Sequence, residues 1–192
     1  MRRKLLQYFS RAERLLWGLS VAFIVGSFCA FDRENYLTLA ASLIGVTSLI
    51  FNAKGNPIGQ VLMVLFSLLY GIISYTFAYY GEMITYLGMT MPMAVWSTIT
   101  WIRNPSKNGN EVEIQKLNRK HIAGLSVFSV AVTAAFYYIL HMLDTPNIVF
   151  STISVTTSFL AASLTMLRSS YYALGYAMND IVLIVLWVLA SL

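Results

Sequence analysis

Asn179 and Asp180 stand side by side within residues 169–192, a stretch with no other charged residue. A carboxylate at bilayer depth costs about 2.5–3.5 kcal/mol on insertion scales, so it marks a pathway, a proton relay or a binding site. It cannot face lipid. Protonation, or a bond to a neighbouring helix, is the structural alternative. Other polar groups interrupt apolar stretches elsewhere. Gln60 is followed by Ser67, Tyr70 and Ser74, which share one helical face by offsets of three and four. Tyr86, Thr90, Trp96, Ser97, Thr98 and Thr100 stand together further on, and Thr47-Ser48 and Thr156-Thr157 form two hydroxyl pairs. Rings, amides, hydroxyls and one acid suit an uncharged or cationic ring compound that bears hydroxyls. Gly59, Ser67 and Gly71 read equally as points where helices approach closely.

Nothing in the chain makes an enzyme. His121 and His141 lie at opposite ends of one stretch, about 30 Å apart by helical rise, and cannot share a metal. Cys29 is the single cysteine, so no disulfide forms within the chain. There is no glycine-rich phosphate loop and no serine-base pair, and no cofactor is called for.

These groups must be positioned by membrane helices. The chain is 58% hydrophobic and 11% charged, against about a quarter charged in soluble domains. Uncharged runs cover residues 15–31, 35–53, 55–81, 83–102, 121–143 and 145–167, with residues 169–192 broken only by Asp180. A helix needs about 20 residues to cross the hydrocarbon core, so each run is one span. The fold is all-α: a polytopic membrane protein of seven transmembrane helices. A barrel would need alternation over about ten residues, and these runs are continuous. The third and fourth spans are joined only by Gly81-Glu82, a hairpin around which the rest is arranged. The first span starts too late and is too long for a cleaved signal peptide.

Placing loops alternately puts all of the 13 Lys and Arg residues except Arg33 on one side. The excess belongs in the cytoplasm. The N-terminus is therefore inside, and the net charge of +5 reflects orientation, not a nucleic-acid partner. Residues 1–13 form a cytoplasmic segment, the first eleven of them basic and apolar enough to lie on the inner leaflet or to be a solvated tail. Residues 14–31 form an extra helix, 36–102 a first three-helix unit, 103–120 a polar cytoplasmic linker, 121–141 an inversion helix and 147–192 a second unit. An offset of 109 positions aligns Ser42, Val46, Thr47 and Ala53 with Ser151, Val155, Thr156 and Ala162 without a gap, which makes the second unit a copy of the first. The last core helix is then missing, and the sequence is expected to stop one helix early. A parse into spans one to three, four, and five to seven is the opposing reading. Pro92 should bend the fourth span, and Trp101 beside Arg103 reads as an interfacial anchor, as do Tyr79, Tyr80, Tyr171 and Tyr172.

The run from Gly55-Asn56 to Gln60, Leu69-Tyr70-Gly71, Tyr79-Tyr80-Gly81-Glu82, the residues from Trp96 to Trp101 with Arg103-Asn104, and Asn179-Asp180 with the helix after them resemble the PnuC family of bacterial vitamin transporters. The resemblance covers residues 36–192. It implies a three-one-three core related to the SWEET sugar transporters, assembly as a homo-trimer in the inner membrane, and uptake of nicotinamide riboside by facilitated diffusion. A cytosolic kinase would trap the entering riboside for NAD biosynthesis. The carried-over substrate site is Gln60, Tyr70, Trp96, Thr156, Asn179 and Asp180. A pyridinium ring on a Tyr or Trp face gains about 0.5–2 kcal/mol, and ribose hydroxyls need partners such as Gln60, Asn179 or Asp180. Family members that carry the riboside have a Trp-x-x-Trp pair where this chain has the stretch from Tyr171-Tyr172 to Tyr176. Thiamine and a deoxynucleoside are therefore runner-up substrates. A non-transporting membrane scaffold or sensor is the alternative of a different class.

Overall fold

The described residues, 8–190 apart from 32, 78, 108, 110 and 146 and from the side chains of 187 and 190, form seven helical rods in this computed structural model. Helices α1 (Arg11–Phe31), α2 (Tyr36–Ala53) and α3 (Pro57–Thr76) come first. The fourth rod runs unbroken through α4 (Tyr80–Ile84), a π-helical turn π1 (Thr85–Thr90) and α5 (Met91–Arg103). Helices α6 (Arg119–Met142), α7 (Ile148–Met166) and α8 (Tyr172–Ala190) complete the set. Five of these helices, α1, α2, α3, α6 and α7, are each long and apolar enough to cross a membrane. One end of the bundle carries Arg11, Lys54, Lys116, Arg119 and Arg168 and is the basic end; the opposite end is the far end.

Helix starts follow from side chains that satisfy free backbone N–H groups. Asn35, Asn56 and Asn118 accept from Thr38, Ile58 and His121, and Pro57 opens α3 where its missing N–H costs nothing. Ser10 and Glu13 bond reciprocally, Ser10 N to Glu13 Oε2 at 2.7 Å and Glu13 N to Ser10 Oγ at 3.2 Å. This capping box starts α1 at Arg11 and not at residue 14, which corrects the expected boundary. Glu13 then pairs with Lys54 at 3.2 Å, and Asn56 donates to the Tyr8 hydroxyl, so the start of α1 docks on the α2–α3 turn. The expected surface segment up to residue 7 lies outside the described residues.

Helix α2 packs on α3, α3 on the fourth rod, the fourth rod on α7, and α7 between α6 and α8. Met89, Leu140 and Val155 form the buried apolar cluster of the far half, uniting π1, α6 and α7. The two aligned hydroxyl pairs do equivalent work. Thr47 accepts from Trp17 of α1 at 3.2 Å while Ser48 donates to the Gly59 carbonyl of α3 at 2.8 Å. Thr156 meets Thr133 of α6 at 2.8 Å while Thr157 donates to Asn179 of α8 at 2.7 Å.

The expected bend at Pro92 takes the form of π1. A proline ring clashes with the carbonyl four residues back, here Gly88, and a widened turn relieves the conflict. Met91 N–H accordingly donates to the Tyr86 carbonyl, five residues back.

The linker after α5, polar by composition, is tied down at several described residues. Val112 is buried and its N–H donates to the Gly55 carbonyl at 2.8 Å; Glu113 N–H donates to Asn104 at 2.9 Å. Gln115 N–H donates to the Arg168 carbonyl, and the Arg168 guanidinium reaches Glu113 O and Gln115 Oε1. The segment thus straps the α2–α3 turn to the α7–α8 turn across the basic end.

Trp101 is corrected as well. It is 1% exposed and its Nε1 donates to the Thr165 carbonyl at 2.9 Å, so it is wedged between α5 and α7 and is no interfacial anchor. Tyr172 is half-buried and donates to the Asn52 carbonyl at 2.8 Å, while Tyr79, Tyr80 and Tyr171 stay exposed.

Gly59 meets Asn52 so closely that a Cβ there would overlap its side chain and approach its backbone nitrogen to 2.6 Å. Gly59→Ala is expected to cost about 2–3 kcal/mol through overpacking. A thermal melt in detergent should fall by roughly 5–10 °C, whereas Gly124→Ala, which meets nothing within 4 Å, should leave it unmoved.

Candidate functional site

Polar groups gather where α3, α5, α7 and α8 converge in the basic half. Gln60, 2% exposed, donates from Nε2 to Asn52 Oδ1 at 2.8 Å. Asn52 in turn donates to Ser48 Oγ at 3.3 Å. Tyr172, on the first turn of α8, closes this knot from the other side. Beside it lies a gap of about 10 Å³ bordered by Gln60, Thr90, Ser97, Thr165 and Tyr176, with Met63 and Met93. That is room for one water, so the bundle is shut around it.

Further toward the far end the polar line continues through aromatic rings. Tyr176 and Asp180 are four residues apart and share a face of α8. Both lie within electrostatic reach of Tyr86. The Tyr86 ring meets Tyr70 at 4.4 Å between centroids, and Phe66 touches both at 5.9 and 5.6 Å. Glu82, half-buried in α4, stands one turn before Tyr86 and within electrostatic reach of Tyr70 and Tyr86. A line of polar groups therefore runs from Asn52 and Gln60 past Tyr176 and Asp180 to Tyr86, Tyr70 and Glu82. It crosses the bundle. Among the described residues every Lys and Arg lies at a helix end or in a connection, and none lies along this line.

The six residues singled out from sequence fall into separate places. Gln60 borders the gap, Tyr70 belongs to the ring cluster, and Asp180 stands between the two and is exposed along α8. Asn179, 6% exposed, points to α7, where its Oδ1 accepts from Thr157 at 2.7 Å and Ser158 at 2.9 Å. Thr156 is engaged with Thr133 of α6. Trp96 is 58% exposed and lies outside the gap. Asn52, Glu82, Tyr86 and Tyr176 join the line without having been singled out as site residues. Spacing offered a signal for three of them: Tyr172, Tyr176 and Asp180 recur every four residues, and Glu82 precedes Tyr86 by four.

Residues 35–192 match the model of a family described as nicotinamide mononucleotide transporter. A nicotinamide riboside transporter PnuC of Neisseria mucosa is 29% identical to this chain over 181 residues, 91% of this chain and 68% of that protein. The solved crystal structure of the vitamin B3 transporter PnuC superposes with a TM-score of 0.80 at 22% identity, covering 95% of this chain and 79% of that one. The structural likeness bears on the fold.

Proposed function

The chain belongs to the PnuC family of membrane transporters, which are not enzymes, and from that premise we propose that it carries nicotinamide riboside across the membrane by facilitated diffusion. The observation that carries the choice of substrate is the charge along the polar line. Two carboxylates, Asp180 and Glu82, and several tyrosine faces stand there among the described residues, with no Lys or Arg. A pyridinium cation is favoured in such surroundings, whereas a mononucleotide would bring a phosphate that needs an Arg or Lys partner. In this reading Gln60 and Asp180 meet the ribose and the ring charge, and Tyr70, Tyr86 and Tyr176 supply ring faces. Asn179 and Thr156 act by holding α8 and α6 to α7.

The basic end faces the cytoplasm, in keeping with the placement of Lys and Arg. Helices α2, α3 and the fourth rod form the first unit, α6 the inversion helix, and α7 and α8 belong to a second unit. The equivalent bonding of the two hydroxyl pairs supports this SWEET-like arrangement. Self-association as a trimer, and trapping of the entered riboside by phosphorylation in the cytosol, belong to the same proposal.

Liposomes that contain only this protein should take up labelled nicotinamide riboside saturably. Excess unlabelled riboside should compete, and the mononucleotide should not. Thiamine, also an aromatic cation, is the second substrate to test by competition. Collapsing the proton gradient should leave the initial rate unchanged, since no step uses the gradient. Absence of saturable uptake overturns the carrier; strong dependence on the gradient overturns passive transport and recasts Asp180 as a proton carrier.

A further inference from the structure

Helices α2 and α7 end in the same way. In each a left-handed residue follows the last turn, Gly55 at φ 69° and Arg168 at φ 55°. Gly55 N–H donates to Asn52 O and Asn56 N–H to Phe51 O, just as Arg168 N–H donates to Thr165 O and Ser169 N–H to Leu164 O. Both are Schellman closures. The likeness extends to what touches them. The Asn52 carbonyl also accepts from the Tyr172 hydroxyl of α8 at 2.8 Å, and the Thr165 carbonyl from Trp101 Nε1 of α5 at 2.9 Å. Each helix end is therefore held by an aromatic donor from the other half of the bundle. The strap then takes the carbonyl of the left-handed residue in both: Val112 N–H donates to Gly55 O at 2.8 Å and Gln115 N–H to Arg168 O at 2.9 Å. Three extended residues reach about 10 Å, so the two ends can part little while both strap bonds hold. Thr165 borders the gap, and Gln60, which also borders it, is bonded to Asn52.

We propose that the strap is a clip across a gate at the basic end: it holds the ends of α2 and α7 together while the gap is shut, and passage of a permeant between the gap and that end requires release at Arg168. The guanidinium reaches Glu113 O at 3.2 Å and Gln115 Oε1 at 3.0 Å. It holds its own backbone in a conformation that a Cβ disfavours. Once the guanidinium lets go, the turn is free to relax and to draw its carbonyl away from Gln115. The Tyr172 and Trp101 bonds are then the last ties between the two ends. The clip deepens the carrier reading above and rests on it.

The test replaces Cys29, the single cysteine, by Ala and Ser97, which borders the gap and is 1% exposed, by Cys. A membrane-impermeant maleimide is applied to inside-out vesicles, which present the basic end in the orientation above, and to right-side-out ones. Arg168→Gly keeps the left-handed turn, which glycine favours, and removes the guanidinium. Labelling from the basic end should speed up about tenfold, the shift that follows from losing one bond to a charged group, while labelling from the far side stays as it was. Val112→Pro removes the N–H that Gly55 accepts and should speed labelling in the same sense. Lys116→Ala, which removes an exposed cation beside the strap, should match the parent. Unchanged labelling in R168G, an equal gain from both sides, or an equal gain in K116A overturns the clip. Where R168G does not fold, V112P decides by the same criteria. Riboside uptake by the wild-type chain is measured in parallel: its absence overturns the carrier reading, whereas labelling needs no permeant and decides the clip by itself.

Discussion

Leucine in place of Gln60 is expected to lower riboside uptake per folded molecule by about a hundredfold. Two losses combine. The permeant forfeits a hydrogen bond at a site bordered by few other amides, and Asn52 Oδ1, which Gln60 satisfies at 2.8 Å, is left unpaired inside the bundle. Each unmade bond to a buried polar group is worth about 1–3 kcal/mol, and about 2.7 kcal/mol is a hundredfold. The two losses can be separated. Removing both partners, in an N52L/Q60L chain, takes away the orphaned acceptor and should recover much of the melting temperature lost by Q60L alone. Uptake should stay low. If the double variant regains uptake together with stability, Gln60 is a packing residue and the site lies elsewhere.

Trp101→Ala should be the most destabilising single change. Truncating a buried tryptophan costs about 3–5 kcal/mol, and in a bilayer, where packing contacts hold helices together, no hydrophobic gain between helices offsets the void. Trp101 sits where α5, α7 and α8 meet, bonded to Thr165 and 6.4 Å from the Tyr172 ring. Melting in detergent should fall by roughly 10–15 °C. Trp101→Phe retains most of the volume and should cost about a third as much. A melt of Trp101→Ala that matches the wild type would return the residue to the membrane interface.

The spans could be read from sequence because a bilayer imposes a length, and runs of uncharged residues either reach that length or do not. What hydropathy cannot convey is what covers a helix end. Trp101 next to Arg103 has the residue types of an interface, yet α7 and the Tyr172 ring of α8 close on the indole and put it inside. The strap itself was hidden because its polar composition describes side chains, while its ties are mostly backbone bonds to Gly55, Asn104 and Arg168. The site shows a similar limit. Asn179 and Asp180 look like a pair on paper, but neighbours on a helix point about 100° apart, so one serves α7 and the other the line of rings. Gln60 stands out in the sequence because an amide one turn into an apolar helix needs a partner, and the structure supplies one in Asn52. Tyr176 was overlooked although it stands one turn before Asp180.

The π turn at Thr85–Thr90 bears on how one rod can serve two neighbours. A turn closed over five residues absorbs one position beyond the regular count, so everything after it is rotated by about 100° relative to an uninterrupted α-helix. Tyr86 within the splice meets Tyr70 of α3, and Trp101 after it bonds to Thr165 of α7. The rod behaves as two screws of different phase cut on one shaft. Its register is set by the count of residues between Glu82 and Pro92, and a chain one residue shorter there would turn either Tyr86 or Trp101 out of alignment.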